Sequence, residues 1–70
     1  MNVNKLRGRM VEYGYTTKTF VEAMGISHTA FYRKMNNMSE FTLDEVQKIV
    51  KLLSLKADDI IDIFFSLKVA

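Results

Sequence analysis

TKTFVEAMGISHTAFYRKM, residues 17–35, is the stretch from which the rest of the chain can be read. Phe20, Val21 and Met24 recur at i, i+1 and i+4, and Ile26, Ala30, Phe31 and Met35 fall on one stripe after Gly25. That spacing predicts two short amphipathic helices about a glycine. Gly25 stands just past the last apolar residue of the first helix, where the left-handed backbone is entered freely only by a residue without Cβ. Ser27 then offers its side-chain oxygen to the free N–H groups of the next turn. A chain that stops, bends and restarts within about three residues has the outline of a helix-turn-helix.

Upstream, Val3, Leu6, Met10 and Tyr13 step by three or four and predict a helix over residues 3–13, with Asn2 as its cap and Gly14 as its stop. Its opposite face shows Lys5, Arg9 and Glu12 to solvent. Gly8 inside this helix costs on the order of 1 kcal/mol relative to Ala, and fits either a close helix approach or simple tolerance. Thr16 is the expected N-cap of a helix over 17–24, and the next helix covers 28–35.

Downstream, residues 36–41 read as a polar loop that Phe41 pins to the core. Thr42 followed three residues later by Glu45 is a capping box, and it opens a stripe of Leu43, Val46, Ile49, Val50 and Leu53. After a short connection, Asp58 and Asp59 place negative charge in the first turn of a last helix over 58–67, where the helix dipole favours it. Ile60, Ile61, Phe64 and Leu67 make its expected core stripe, while Ile63 and Phe65 point elsewhere. So small a domain cannot cover a helix that is apolar nearly all round, and Ile63, Phe65 and Leu67 are the expected contact with a second copy of the chain.

Seventy residues allow one domain, 1–70, with a small core. Without cysteine there is no disulfide framework and no thiolate metal site, which fits a reducing compartment, and the cytoplasm is the expectation. No uncharged apolar run approaches the roughly 18 residues of a membrane span, and MNVNKLRGRM has no apolar signal core, so a soluble, unprocessed chain without membrane association is expected. The net charge is +2, unevenly placed: residues 1–38 carry six bases against two acids, and residues 39–70 four bases against six acids. The basic half is the helix-turn-helix half, and that asymmetry favours a polyanionic partner on one face.

Taken together, GYTTKTFVEAMGISHTAFYRKMNN followed by FTLDEVQKIVKLLSLKADDII resembles the lambda-repressor-like helix-turn-helix family of phage and bacterial regulators, the Cro and Xre type. The marks that carry it are Gly14, Phe20, Met24, the Gly25-Ile26-Ser27 turn, Phe31, and the Leu43 to Leu53 helix followed by Leu55 and Asp58. The resemblance implies a compact all-α, five-helix fold that binds operator DNA, usually as a dimer. Val21 stands where that family usually has a small residue, and Thr17 replaces a frequent Gln. Met10 and Met35 occupy positions where many relatives hold an Arg–Glu pair, and two apolar residues can replace a buried ion pair without loss of stability.

In such a fold the second helix of the motif lies in the major groove. Its outward positions, His28, Thr29, Tyr32 and Arg33, are the candidates for base contact. Arg33 can hold guanine O6 and N7 with two donors, worth about 1–3 kcal/mol of discrimination. Phosphate contacts are expected from Thr17, Lys18, Lys34, Ser39 and the amides of Asn36 and Asn37. His28 lacks the further ligands a metal would need, no nucleophile–base pair or phosphate loop is present, and of the five Met residues Met10, Met24 and Met35 lie on apolar stripes and read as core filling. The expected protein is therefore a non-enzymatic, cofactor-free transcriptional regulator, a phage Cro- or repressor-like homodimer on duplex operator DNA. RNA polymerase or a phage regulatory protein is a further conceivable partner. The alternative is an antirepressor-like module that uses the same fold to bind protein.

Overall fold

The local signals become helix ends. Thr16 accepts from the Thr19 N–H at 3.1 Å, while the Thr19 hydroxyl accepts from the Thr16 N–H at 2.9 Å, and this closed box starts a helix at Thr17. Gly25 ends it with φ +74°, and Ser27 starts the next by accepting from the Ala30 N–H at 3.1 Å. Thr42 and Glu45 form the second box, with Thr42 N–H donating to the Glu45 carboxylate at 2.8 Å. In the computed structural model, which describes residues 1–65, the elements are α1 (Val3–Glu12), α2 (Thr17–Met24), α3 (His28–Met35), α4 (Leu43–Leu52) and α5 (Ala57–Phe64). Among the described residues there is no strand, and no helix is long and apolar enough to cross a membrane.

One core holds the five helices. Leu6, Phe20, Met24, Ile49, Leu53 and Ile63 are fully buried, and Met10, Val21, Phe31, Met35 and Leu55 nearly so. An aromatic chain runs through it, Tyr15 to Phe20 to Phe31 to Phe41 to Phe64, with successive ring centroids 5.2, 5.8, 6.3 and 6.3 Å apart. The rings meet tilted or edge to face, the geometry their quadrupoles favour, so each pair adds roughly 0.5–1.5 kcal/mol beyond burial. Phe41 thus pins the α3–α4 loop as its position suggests. Val21 is accommodated within the core at 3 % exposure.

The structure departs from the sequence reading at α1, α4 and α5. In α1 the core stripe ends at Met10; Tyr13 is exposed, and Tyr15 enters the core in its place. Leu43, the first residue of α4, lies open to solvent at 74 %. In α5 two positions are exchanged, while Ile60 and Phe64 pack against the core as expected and Phe65 stays at the surface. Ile63 is fully buried and is therefore no dimer contact, whereas Ile61 is exposed at 55 %.

Asp59 shows why α5 is turned this way. It lies four residues before Ile63, on the same face, and so follows it inward. There its carboxylate accepts from the Arg9 guanidinium of α1 at 2.7 Å and from the Lys56 N–H at 3.2 Å. The Ile63 carbonyl also accepts from the Asn2 N–H at 2.7 Å, joining the two ends of the described chain. Leu67, the remaining expected dimer residue, lies outside the described residues.

Candidate nucleic-acid interface

On α3 the apolar residues Phe31 and Met35 turn inward, so the intervening positions must face out. His28, Thr29, Tyr32 and Arg33 are all exposed, with Tyr32 at 65 %. Three of them share one recess of about 320 Å³: His28, Thr29 and Tyr32 form a wall with Thr17 of α2 and Arg7 of α1, above a floor of Phe31 and Met35. Arg33 stands on the same helix but outside this recess. A base-contact group and a phosphate-contact group predicted separately are thus brought to one place, where the start of α2 and the exposed side of α3 line the same recess.

The phosphate candidates divide. Thr17 and Lys18 are both exposed in the first turn of α2, and of the two Thr17 lines the recess. Lys34 does not: its side chain is only 12 % exposed, its ammonium bonds the Glu45 carboxylate, and it lies 5.7 Å above the Phe41 ring. It joins the end of α3 to the start of α4 instead of offering a charge to solvent. Burial disfavours the ionised Glu45, but the Lys34 ammonium and the Thr42 N–H outweigh it and hold the carboxyl below its usual range.

The backbone amides of Asn36 and Asn37 already donate to the carbonyls of Tyr32 and Lys34, and the Asn36 side chain also donates to the Tyr32 carbonyl at 2.7 Å. They close the end of α3, leaving the Asn37 side chain and Ser39 open in this loop beside the exposed carboxylate of Glu40. These two line a different groove, of about 540 Å³, with Phe41, Leu43, Val46, Phe64 and Phe65 among its apolar walls. Phe65, exposed at 67 %, is the expected dimer residue that does remain at the surface.

Pairing also sorts the cations of the first three helices. Lys5 meets Asp62 at 2.6 Å and Asp59 at 3.7 Å, and Arg9 meets Asp59 at 2.7 Å and Glu12 at 2.8 Å. The face expected to be merely solvated is therefore the seam with α5. The Lys56 N–H and then the Arg9 guanidinium hold Asp59 below the usual carboxylate range, and hydrogen bonds to Asp62 and Asp59 raise Lys5 and Arg9 respectively. Arg7, Lys18 and Arg33 make no ion pair among the described residues.

Arg7 is the recess residue that the sequence reading passed over. A signal for it exists: two helical positions separate it from Arg9, about 200° of turn, so the two flank the Leu6–Met10 stripe on opposite sides. Only Arg9 can then face α5.

No curated protein and no solved structure is significantly similar to the chain. A family model does match it, over residues 1–67. The chain accordingly belongs to the family described as a protein of unknown function (DUF739).

Proposed function

We propose that the chain is a sequence-specific duplex DNA-binding regulator of transcription, with α2 and α3 acting as the helix-turn-helix of a lambda-repressor-like domain. The observation that carries this reading is the recess where Thr17 meets His28, Thr29 and Tyr32, on the same three helices that carry Arg7, Lys18 and Arg33, cations without an ion pair among the described residues. In this reading α3 enters the major groove, Arg33 and Thr29 read base edges with His28, and Tyr32 packs against sugar or phosphate. Thr17 and Lys18 position the protein on the flanking strand. No covalent chemistry is involved, and the cytoplasm is where such a protein would meet its DNA.

A second copy completes the site. The domain is 33 Å along its longest axis, close to the roughly 34 Å of one DNA turn, so one copy reads a single exposure of the groove and two are needed for two half-sites. Phe65 and Leu43, both exposed beside the apolar groove, are the surface on which that copy docks. A bound dimer would regulate by blocking polymerase or by touching it. That same apolar groove favours the second reading, an antirepressor-like module whose partner is a protein.

Selection from a random duplex library, followed by titration of the winners at two salt concentrations, separates these readings. A regulator enriches a two-fold site with at least a roughly thousandfold preference over random DNA. Arg33→Ala and Thr29→Ala should then relax that preference by about 1–3 kcal/mol per lost contact without changing the helical signal. A single half-site would remove the dimer, and no enrichment would remove DNA recognition.

A further inference from the structure

Resting on the DNA-binding reading, we infer that Arg7 of α1 is the ligand of one backbone phosphate, gripping with Thr17 the strand that flanks the bases met by His28 and Thr29. Three observations carry this assignment. Arg7 lines the recess that also holds Thr17, His28 and Thr29, and no other α1 residue does. It is exposed and makes no ion pair among the described residues, whereas its neighbours Lys5 and Arg9 are both held by carboxylates of α5. Its guanidinium also makes no side-chain hydrogen bond among the described residues, unlike that of Arg9, so its donors are open to an incoming anion.

The chemistry selects phosphate over a base edge. A guanidinium presents a planar fork of N–H donors that matches two phosphate oxygens at once. Arg7 stands on a different helix from the residues that would enter the groove, at the rim beside Thr17, where the strand backbone would pass. It would therefore strengthen binding to every sequence alike and add nothing to base preference.

The test uses the full chain and the duplex recovered by selection. Titrations over a salt series compare wild type with Arg7→Gln and Arg7→Lys, and methylphosphonate replaces each backbone phosphate in turn. Arg7→Gln should lower the log–log salt slope by about 0.9, weaken specific and random duplexes by the same factor, and leave the thermal midpoint unchanged. Arg7→Lys should retain the slope. One methylphosphonate position should weaken wild type but leave Arg7→Gln unaffected, a coupling that a general change in net charge would not produce. An unchanged slope, or no position with that coupling, overturns the assignment while leaving DNA binding intact. Wild type that binds no duplex at all overturns both.

Discussion

Where α2 meets α3 the contact is apolar: Phe20 and Phe31 are buried with their rings 5.8 Å apart, and Gly25 and Ser27 make the turn from local backbone chemistry. Where α1 meets α5 there are buried apolar residues too, Leu6 and Ile63 both belonging to the core, but Lys5 and Arg9 also reach across to Asp59 and Asp62. The difference decides which charges remain for a partner. A seam closed by ion pairs absorbs its cations into the fold, whereas the seam closed by rings leaves Arg33 and Lys18 without an ion pair among the described residues. An uneven charge along a chain is thus a poorer guide to a binding face than the list of cations the fold leaves unpaired.

The contrast can be broken most forcefully at the apolar seam. Phe20→Ala should destabilise the domain by about 3–5 kcal/mol, comparable with the whole stability of so small a protein, and leave much of it unfolded in denaturant titrations. Asp62→Asn, which removes an exposed partner of Lys5, should scarcely move the same transition. Equal losses would mean that charge, not ring packing, holds the core together.

Two glycines sharpen the comparison with effects of opposite sign. Gly25 has φ +74°, and an added Cβ would meet only the Lys48 ammonium at 3.9 Å, so the cost of Gly25→Ala is conformational, about 1–2 kcal/mol. Gly8 lies within α1 with nothing within 4 Å of an added Cβ, so no close helix approach requires it. Gly8→Ala should stabilise by about 1 kcal/mol, read as a higher midpoint in thermal unfolding. A loss there would mean that α1 needs room on its exposed side.

Acid tests the ionic seam. Asp59 has a folded pKa held below its unfolded value, so its contribution is fully present above about pH 4 and disappears as the pH falls through the lower, folded value. Thermal midpoints should therefore hold steady from neutral pH downward and drop below about pH 4, with a shallower drop in Asp59→Asn. The variant should also begin from a lower midpoint at neutral pH, having lost a carboxylate acceptor for both Arg9 and the Lys56 N–H. Parallel pH curves for the two proteins would show that this carboxylate does not hold α5 to α1.

Much of the candidate site was legible because its signals are local. Thr16, Ser27 and Thr42 each cap a helix by bonding an amide three residues ahead, a relation visible in any sequence. The outward positions His28, Thr29, Tyr32 and Arg33 follow from the period of a helix whose buried residues, Phe31 and Met35, are plainly apolar. Lys34 is the exception, because the same period leaves it at the edge of the buried stripe. Whether such an edge residue faces water or a neighbouring helix depends on where α4 lies, and Glu45 happens to meet it there.

By itself, then, the sequence determined the five helices, the caps of the first four and the turn at Gly25, since each rests on contacts within a few residues. The last helix, α5, expected to run to 67, ends at Phe64 with Phe65 as its C-cap. Only the tertiary structure decided the rotation of α5, which buries Ile63 and exposes Ile61, and the fate of each cation on α1. The reason is distance along the chain: Arg9 bonds a carboxylate 50 residues away and Lys5 one 57 residues away. Helical periodicity cannot say which flank of α1 will receive them. Docking of α5 settles it, closing the Lys5–Arg9 side and leaving Arg7 at the recess.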